Sequence, residues 1–297
     1  MENQPKQVNR IKPIFFYFKE SIKFYDIDHP PAAQITFVLQ LAAIFGGYLL
    51  ARPYAEKFVQ FYEQISNKIA LMLESRNFDF SILSSELAAN LVNALIAMTL
   101  ISLASKAIAY LFGVFFGAYY FFSLTRPETT PAQRVSEILS KYPKLILFNV
   151  LFYGIFLITS VLLLFTAGIA MMIIPFLAFF SALIPLALLA IDTVFIFKNL
   201  LIIEFDTGVF RNFKKALDIT KGCRKRVIAN GLWPVCINIL ISTFSFGIDN
   251  PLLSLFIAAF FEVIVLMMTQ RLTALMFIDA ASLERNDKRV KEAKNNG

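Results

Sequence analysis

Five ionisable side chains lie inside long apolar runs of the sequence: Asp192, Glu262, Lys106, Lys198 and Arg271. Because a charge at the centre of a bilayer is costly, such residues are hypotheses of function by default. The chemistry that they offer is a proton or ion relay, or a polar path for a substrate. The structural alternative, which we favour, is pairing between helices, for example Lys106 with Asp192 or Lys198 with Glu262. Snorkelling toward the membrane surface would accommodate Lys198 and Arg271.

The motifs of common catalytic sites do not occur in the sequence. HExxH, GxSxG, the P-loop and GxGxxG are all missing. The single histidine, His29, has no metal-ligand spacing around it, and Cys223 and Cys236 form neither a disulfide framework nor a zinc motif. We therefore expect no catalytic site and no bound cofactor or metal.

The composition is that of a membrane protein. Hydrophobic residues make up 58% of the 297 residues and charged residues 16%, whereas soluble domains carry about 25% charged residues. Residues 145–205 contain only Asp192, Lys198 and Glu204 as charged side chains. About 20 apolar residues of helix cross a hydrocarbon core of about 30 Å. The sequence predicts an all-α membrane protein with about six transmembrane helices and additional interfacial amphipathic helices.

The apolar runs define the expected organisation. A cytoplasmic N-terminal segment, 1–32, contains an interfacial helix near 13–25, which is rich in Phe and Tyr with interspersed Lys. A single polytopic transmembrane domain covers 33–277, and 278–297 is a cytoplasmic tail. Spans are expected near 33–51 and 87–124, at two places within 145–204, and near 227–248 and 252–277. Pro175, Pro185 and Gly168 are the candidates for turning the chain within 145–204.

The distribution of Lys and Arg predicts the orientation. Segment 125–144 has four basic residues and segment 205–226 has seven, whereas the four in the loop 52–86 are offset by five acids. Cytoplasmic loops of membrane proteins are enriched in Lys and Arg, so six spans with both termini inside place every strongly basic segment in the cytoplasm. Seven or eight spans are minor alternatives. The expected location is a bacterial plasma (inner) membrane.

Binding to nucleic acid is not expected, although the formal net charge is +7. The basic residues cluster beside the spans, where the membrane explains them, and aromatic residues do not alternate with them as base stacking requires.

Segment 207–221 has the pattern of an amphipathic helix. Phe210, Phe213 and Leu217 follow at i, i+3 and i+7, and Lys214 and Lys215 lie on another face. Asp206 or Thr207 is expected to cap its start and Gly222 its end. The apolar stripe predicts a helix on the lipid headgroup boundary or in a groove of a cytoplasmic protein partner. We favour lipid because Arg224, Lys225 and Arg226 follow directly.

Residues 125–235 resemble the YciC-like family of bacterial inner-membrane proteins, distantly like the membrane domain that precedes some glycerophosphodiester phosphodiesterases. The likeness lies in the short basic loop from Arg126 to Lys144, a proline-bearing span and the run 212–222, which ends in Ile-Thr-Lys-Gly. Relatives usually have Ser and Trp where this sequence has Ala216 and Leu217. The resemblance implies an integral membrane protein of undefined role. It does not carry over phosphodiesterase activity, because that domain is not in this sequence.

Two functions from different classes remain. The leading hypothesis is a non-enzymatic membrane scaffold that faces lipid or binds a partner. The alternative is a transporter or a permease subunit of a transport complex, which Asp192 and Glu262 favour. The lack of an internal repeat and of Gly-interrupted paired helices argues against transport. An intramembrane enzyme ranks third. The sequence does not predict the oligomeric state.

Overall fold

The computed structural model describes residues 10–75, 86–173, 183–245 and 249–287. All regular structure in these ranges is α-helical, which confirms the predicted fold class. The helices are α1 (Ile14–Ile22), α2 (Pro30–Ser75), α3 (Glu86–Thr125), α4 (Pro131–Ile173), α5 (Leu183–Val194), α6 (Lys198–Phe205), α7 (Val209–Ile219), α8 (Arg224–Ser245) and α9 (Pro251–Ala281).

Five helical stretches in the described residues are long and apolar enough to cross a membrane. They are Pro30–Ser75, Glu86–Thr125, Pro131–Ala170, Ile184–Phe205 and Pro251–Ala281. Each contains or closely matches an expected span, and Pro131–Ala170 and Ile184–Phe205 overlap the region 145–204, in which two crossings are expected. Helix α8 covers the expected span 227–248 as far as residue 245, and residues 246–248 lie outside the described ranges. That sixth span stays a prediction.

The second half of α4 shows why these helices need a lipid environment. Ile155, Leu157, Ile158, Val161 and Phe165 are each more than half exposed. Water-soluble proteins rarely leave a contiguous apolar surface of this kind uncovered. Hydrocarbon is the solvent that such a surface requires.

Two of the three candidates for turning the chain within 145–204 are wrong. Gly168 lies inside α4, and Pro185 lies in the first turn of α5, where the N–H that proline lacks has no helical acceptor anyway. The third candidate, Pro175, lies outside the described residues.

The polar segments 52–86 and 125–144 were expected as loops, and that expectation is wrong for most of their length. Helix α2 continues through Pro53 to Ser75, and α4 begins at Pro131. Ion pairs between residues four apart, such as Arg52–Glu56 at 2.7 Å, help charged stretches to remain helical.

The chain divides into two compact units. Unit 1 comprises Met1–Ile35, Gly113–Leu240 and Ile264–Gly297, and unit 2 comprises Thr36–Phe112 and Ile241–Val263. In unit 1, Phe277 of α9 contacts Phe121 of α3 and Phe197 before α6, with ring centroids 5.5 and 5.7 Å apart. In unit 2, α2 and α9 pack through edge-to-face aromatic pairs, such as Phe37 with Phe260.

The expected interfacial helix near 13–25 is α1, which follows Pro13. Phe15 and Phe16 are exposed, whereas Tyr17 and Ser21 are buried. The Tyr17 hydroxyl donates a 2.6 Å hydrogen bond to Oδ2 of Asp279, near the end of α9. A two-sided helix held in this way presents Phe15 and Phe16 outward, as the expected interfacial position requires.

Candidate functional site

The first ionisable pair lies where α5 meets α6. Nζ of Lys198 is 3.0 Å from Oδ1 of Asp192, and Lys198 is only 3% exposed. The ammonium group also lies 4.3 Å from the ring centroid of Phe152 and 4.8 Å from that of Tyr153. A carboxylate and two aromatic faces together compensate a buried ammonium group.

The second pair lies in unit 2. Nζ of Lys106 is 3.2 Å from Oε1 of Glu262, and the Tyr48 hydroxyl donates a hydrogen bond to the other carboxylate oxygen. The Glu262 side chain is 11% exposed, whereas that of Lys106 is 52% exposed. One carboxylate thus receives a phenol and an ammonium group, one on each oxygen.

These contacts correct the pairing suggested from the sequence. Lys106 pairs with Glu262 rather than with Asp192, and Lys198 pairs with Asp192 rather than with Glu262. Snorkelling is also wrong for Lys198 and Arg271, since both side chains are buried. Sequence spacing alone could not settle the partners, because the Lys106–Glu262 pair joins residues far apart in the chain.

A chain of buried polar side chains connects α4, α6 and α7. Nδ2 of Asn149 donates a 2.8 Å hydrogen bond to Oδ1 of Asn199. Nδ2 of Asn212 donates to the carbonyl oxygen of Lys198 at 2.8 Å, and the Thr207 hydroxyl donates to Oδ1 of Asn212 at 3.0 Å. Satisfied polar networks of this kind fix the relative positions of helices. From the sequence, Asn149 and Asn199 are candidates for hydrogen bonds between helices, but their pairing and the parts played by Asn212 and Thr207 are not predictable from it.

The basic residues around α4 are largely neutralised. Arg126 bridges Glu137 and Glu204, with both contacts at 2.8 Å. The fully buried Arg134 pairs with Asp28, and Lys144 bonds Asp206 at 2.6 Å. The Lys144 ammonium group, through this hydrogen bond and its charge, lowers the pKa of the Asp206 carboxyl. This basic segment is therefore built into the helical framework of unit 1 rather than left as a free positive surface.

Helix α7 does not have the single apolar stripe that the spacing predicted. Asn212 and Ala216 face the protein. The Phe213 ring packs on Phe148 and Phe195, with centroids 5.0 and 6.2 Å apart. Phe210 points the other way and is 82% exposed. The predicted stripe is therefore divided between two faces of the helix. Phe213 lies between the buried face and the exposed face, and it is close enough to the buried face to pack among other aromatic rings.

Both expected caps of α7 need correction. Gly208 precedes the helix as its N-cap residue. Asp206 instead ends α6 in a left-handed conformation with φ of 45°, while the Thr207 hydroxyl is used by Asn212. Thr220 ends α7, and Gly222 adopts a φ of 85° in the turn that leads to α8. A residue without a side chain favours that conformation.

Arg271 of α9 holds the connection between α1 and α2. Its guanidinium donates to the carbonyl oxygens of Lys23 and Asp26 and, at 2.9 Å, to the hydroxyl of Tyr120. The guanidinium carbon lies 4.1 Å from the Tyr120 ring centroid. Nearby, Arg285 bonds Glu20 at 2.8 Å. The only sign of this arrangement in the sequence is a cation inside an apolar run.

Comparison with known proteins yields no relative: no family model, no curated protein and no solved structure matches this chain.

Proposed function

We propose that this chain is a non-enzymatic integral membrane protein of a bacterial plasma membrane that acts as a scaffold facing lipid or a partner. Both termini are cytoplasmic in this proposal. The main support for this proposal is the outer face of α7. Phe210 is 82% exposed, and Arg211 and Lys214 are exposed beside Phe210. An aromatic ring flanked by cations suits the boundary of an anionic membrane, where each basic residue gains roughly 1 kcal/mol.

Lipid is the preferred occupant of this face. Leu217 follows Phe210 by seven residues and is also exposed, so a groove on a partner could take the same anchors. However, Lys214 separates these two side chains, and Arg224, Lys225 and Arg226 begin α8 close by in the chain. Alternation of apolar and basic side chains favours a charged interface over a dry groove.

The buried face of α7 makes this surface rigid. Asn212, Phe213 and Ala216 hold the helix against the protein through the contacts described above. The helix is thus already ordered before it meets lipid, and binding incurs little further ordering cost.

A fluorescent label at position 210 tests the proposal. In a background without cysteine, Phe210→Cys is labelled with an environment-sensitive dye, and the protein is reconstituted with spin-labelled quenching lipid. Glu128→Cys, in the exposed turn between α3 and α4, is the matched control. We expect quenching at 210 that increases when phosphatidylglycerol replaces phosphatidylcholine, and little quenching at 128. Equal quenching at both positions in both lipids would refute docking of α7 on the membrane.

A transporter or permease subunit remains the second candidate, and the contacts of Glu262 favour it. This carboxylate lies within a candidate span, receives Tyr48 and Lys106 on its two oxygens, and so has two neighbours that can exchange a proton with it. Ionisable groups of this kind mark proton and ion pathways in membranes.

Replacement of Glu262 separates the two functions. If Glu262 serves only as a structural ion-pair partner, Glu262→Gln should lower the thermal unfolding temperature in detergent. A transport role predicts normal folding together with loss of proton-coupled flux in proteoliposomes. Asp192→Asn, which breaks the pair in unit 1, is the comparison that shows the cost of losing an ion pair alone.

The resemblance to the YciC-like family also remains a proposal. It is supported by the basic residues around α4 and by the run 212–222, which forms most of α7 and the turn after it.

A further inference from the structure

A cavity of about 610 Å³ lies beside α7, between the end of α6, the turn that follows α7 and the end of α9. Its charged lining residues are Arg10, Lys215, Lys221 and Asp218, and Phe205 and Ile219 contribute apolar surface. Cavities of this volume are typical of sites for small ligands. Phe210 does not line it, so the cavity and the outer face of α7 are separate features.

The three cations of the cavity differ from the ion-paired cations of unit 1. Arg126, Arg134, Lys144, Lys198 and Arg285 all form ion pairs with carboxylates. Within the described ranges, Arg10, Lys215 and Lys221 form none. Nζ of Lys215 instead lies 3.5 Å from the ring centroid of Phe205. Burial, and then the charge of Arg211, lower the pKa of Lys215. Among the described residues, the charged form of this side chain therefore lacks an anionic partner.

The charge balance of the cavity lining favours an anionic ligand. Three cations against the single carboxylate of Asp218 leave an excess of two positive charges. A phosphate ester carries up to about two negative charges and several strong acceptor oxygens. Arginine can bind such a group through two parallel hydrogen bonds, and lysine binds it as a point charge.

The backbone on one side of the cavity permits close approach. Gly222 lines it with a φ of 85°, a conformation in which a side chain would be strained. Cys223 follows, and α8 begins at Arg224, so the partial positive charge of a helix start adds to that of the side chains.

We propose that this cavity binds a phosphate group, with the apolar wall at Phe205 and Ile219 accommodating the carbon skeleton to which the phosphate is attached. The source is either the headgroup of an anionic phospholipid or a soluble phosphate ester. The site does not rest on the docking of α7 proposed above, because a different face of the helix forms it.

Cys223 provides the readout, because it is buried in the cavity wall. Burial raises the pKa of its thiol, so alkylation at mildly alkaline pH is slow enough to follow. In full-length Cys236→Ser protein, Cys223 is the single thiol. We expect inorganic phosphate, against chloride at equal ionic strength, to slow alkylation saturably if the ligand is soluble. Phosphatidylglycerol in phosphatidylcholine vesicles should slow it if the ligand is a lipid.

Two variants and one matched control localise the effect. Lys215→Gln and Lys221→Gln should each raise the phosphate or phosphatidylglycerol needed for half-protection roughly ten-fold, as expected for loss of a charge-assisted hydrogen bond. Lys221 is exposed in a turn, so its replacement leaves the packing intact. Lys214→Gln removes the neighbouring charge on the outer face and should leave protection unchanged.

The possible outcomes distinguish a soluble phosphate ester from a lipid headgroup, and they include results that would overturn the proposal. Protection by inorganic phosphate in detergent supports the site and assigns a soluble ester, whereas protection only by phosphatidylglycerol supports it and assigns the lipid. Absence of protection by both overturns the proposal, as does an equal effect of Lys214→Gln and Lys215→Gln. Position 210 is not involved in any arm, so these results are independent of the quenching experiment.

Discussion

Asn149 of α4 and Asn199 of α6 are joined by a side-chain hydrogen bond of 2.8 Å, and both residues are buried. Asn199 directly follows Lys198, whose backbone carbonyl receives the side chain of Asn212 from α7. One short stretch at the start of α6 therefore positions α4, the Asp192–Lys198 pair and α7 together.

We predict that Asn199→Leu lowers the free energy of unfolding in detergent by about 0.6–2 kcal/mol, the range measured for hydrogen bonds between membrane helices. The change leaves the Asn149 amide hydrogen-bonded to the carbonyl oxygen of Leu145. Asn93→Leu, at an exposed position of α3, is the control and should be nearly neutral. A similar unfolding temperature for both variants would show that the bond contributes nothing.

Replacing Arg271 by Lys should loosen the connection between α1 and α2. A lysine cannot reproduce the fork of donors that reaches Lys23, Asp26 and Tyr120. We expect faster amide hydrogen exchange at residues 23–27, measured by mass spectrometry. Arg211→Lys, at an exposed site, is the control. Unchanged exchange in Arg271→Lys would mean that other contacts hold this connection.

Tyr17 should make stability depend on alkaline pH. Its pKa is raised above the ordinary value, first by burial and then by the hydrogen bond to Asp279. Because the pKa is higher in the folded state, the contribution of Tyr17 is complete below about pH 10 and is lost as the pH rises further.

We therefore expect the unfolding temperature to fall more steeply above roughly pH 10 in the parent protein than in Tyr17→Phe. Tyr25→Phe is the control, since Tyr25 is 63% exposed. Parallel pH profiles for the parent and Tyr17→Phe would contradict this assignment.

The proposed orientation is tested by single cysteines in a background without cysteine. An impermeant thiol reagent applied to intact cells should label position 68 and not position 214. Lys214 is preferable to Lys215, because Lys215 is partly covered by Phe205. Labelling at 214 without labelling at 68 would reverse the orientation.

The sequence was sufficient for the fold class and for the positions of most long apolar helices. Long apolar runs report directly on membrane crossing, so α3 and α9 closely match the predictions at 87–124 and 252–277. It was insufficient for the polar segments. Charged residues were interpreted as signs of loops, but ion pairs such as Arg126–Glu137 allow them to form part of a helical framework.

Side-chain contacts between residues far apart in the sequence could not be predicted, for a second reason. Periodicity places residues on a helix face but does not say what that face meets. Periodicity therefore places Phe213 in the same stripe as Phe210, although Phe213 packs on Phe148 and Phe195. The pairs Lys106–Glu262 and Lys198–Asp192 likewise depend on packing between and within helices, which composition and spacing do not contain.

Helix α2 has 46 residues, which corresponds to about 69 Å along its axis at 1.5 Å per residue. A whole bilayer with its headgroups measures only about 40–45 Å. In the proposed orientation, the end of α2 at Ser75 therefore lies well beyond the outer surface of the membrane. A rigid fusion at that end would be visible outside the detergent belt, which would provide a fiducial for electron cryo-microscopy.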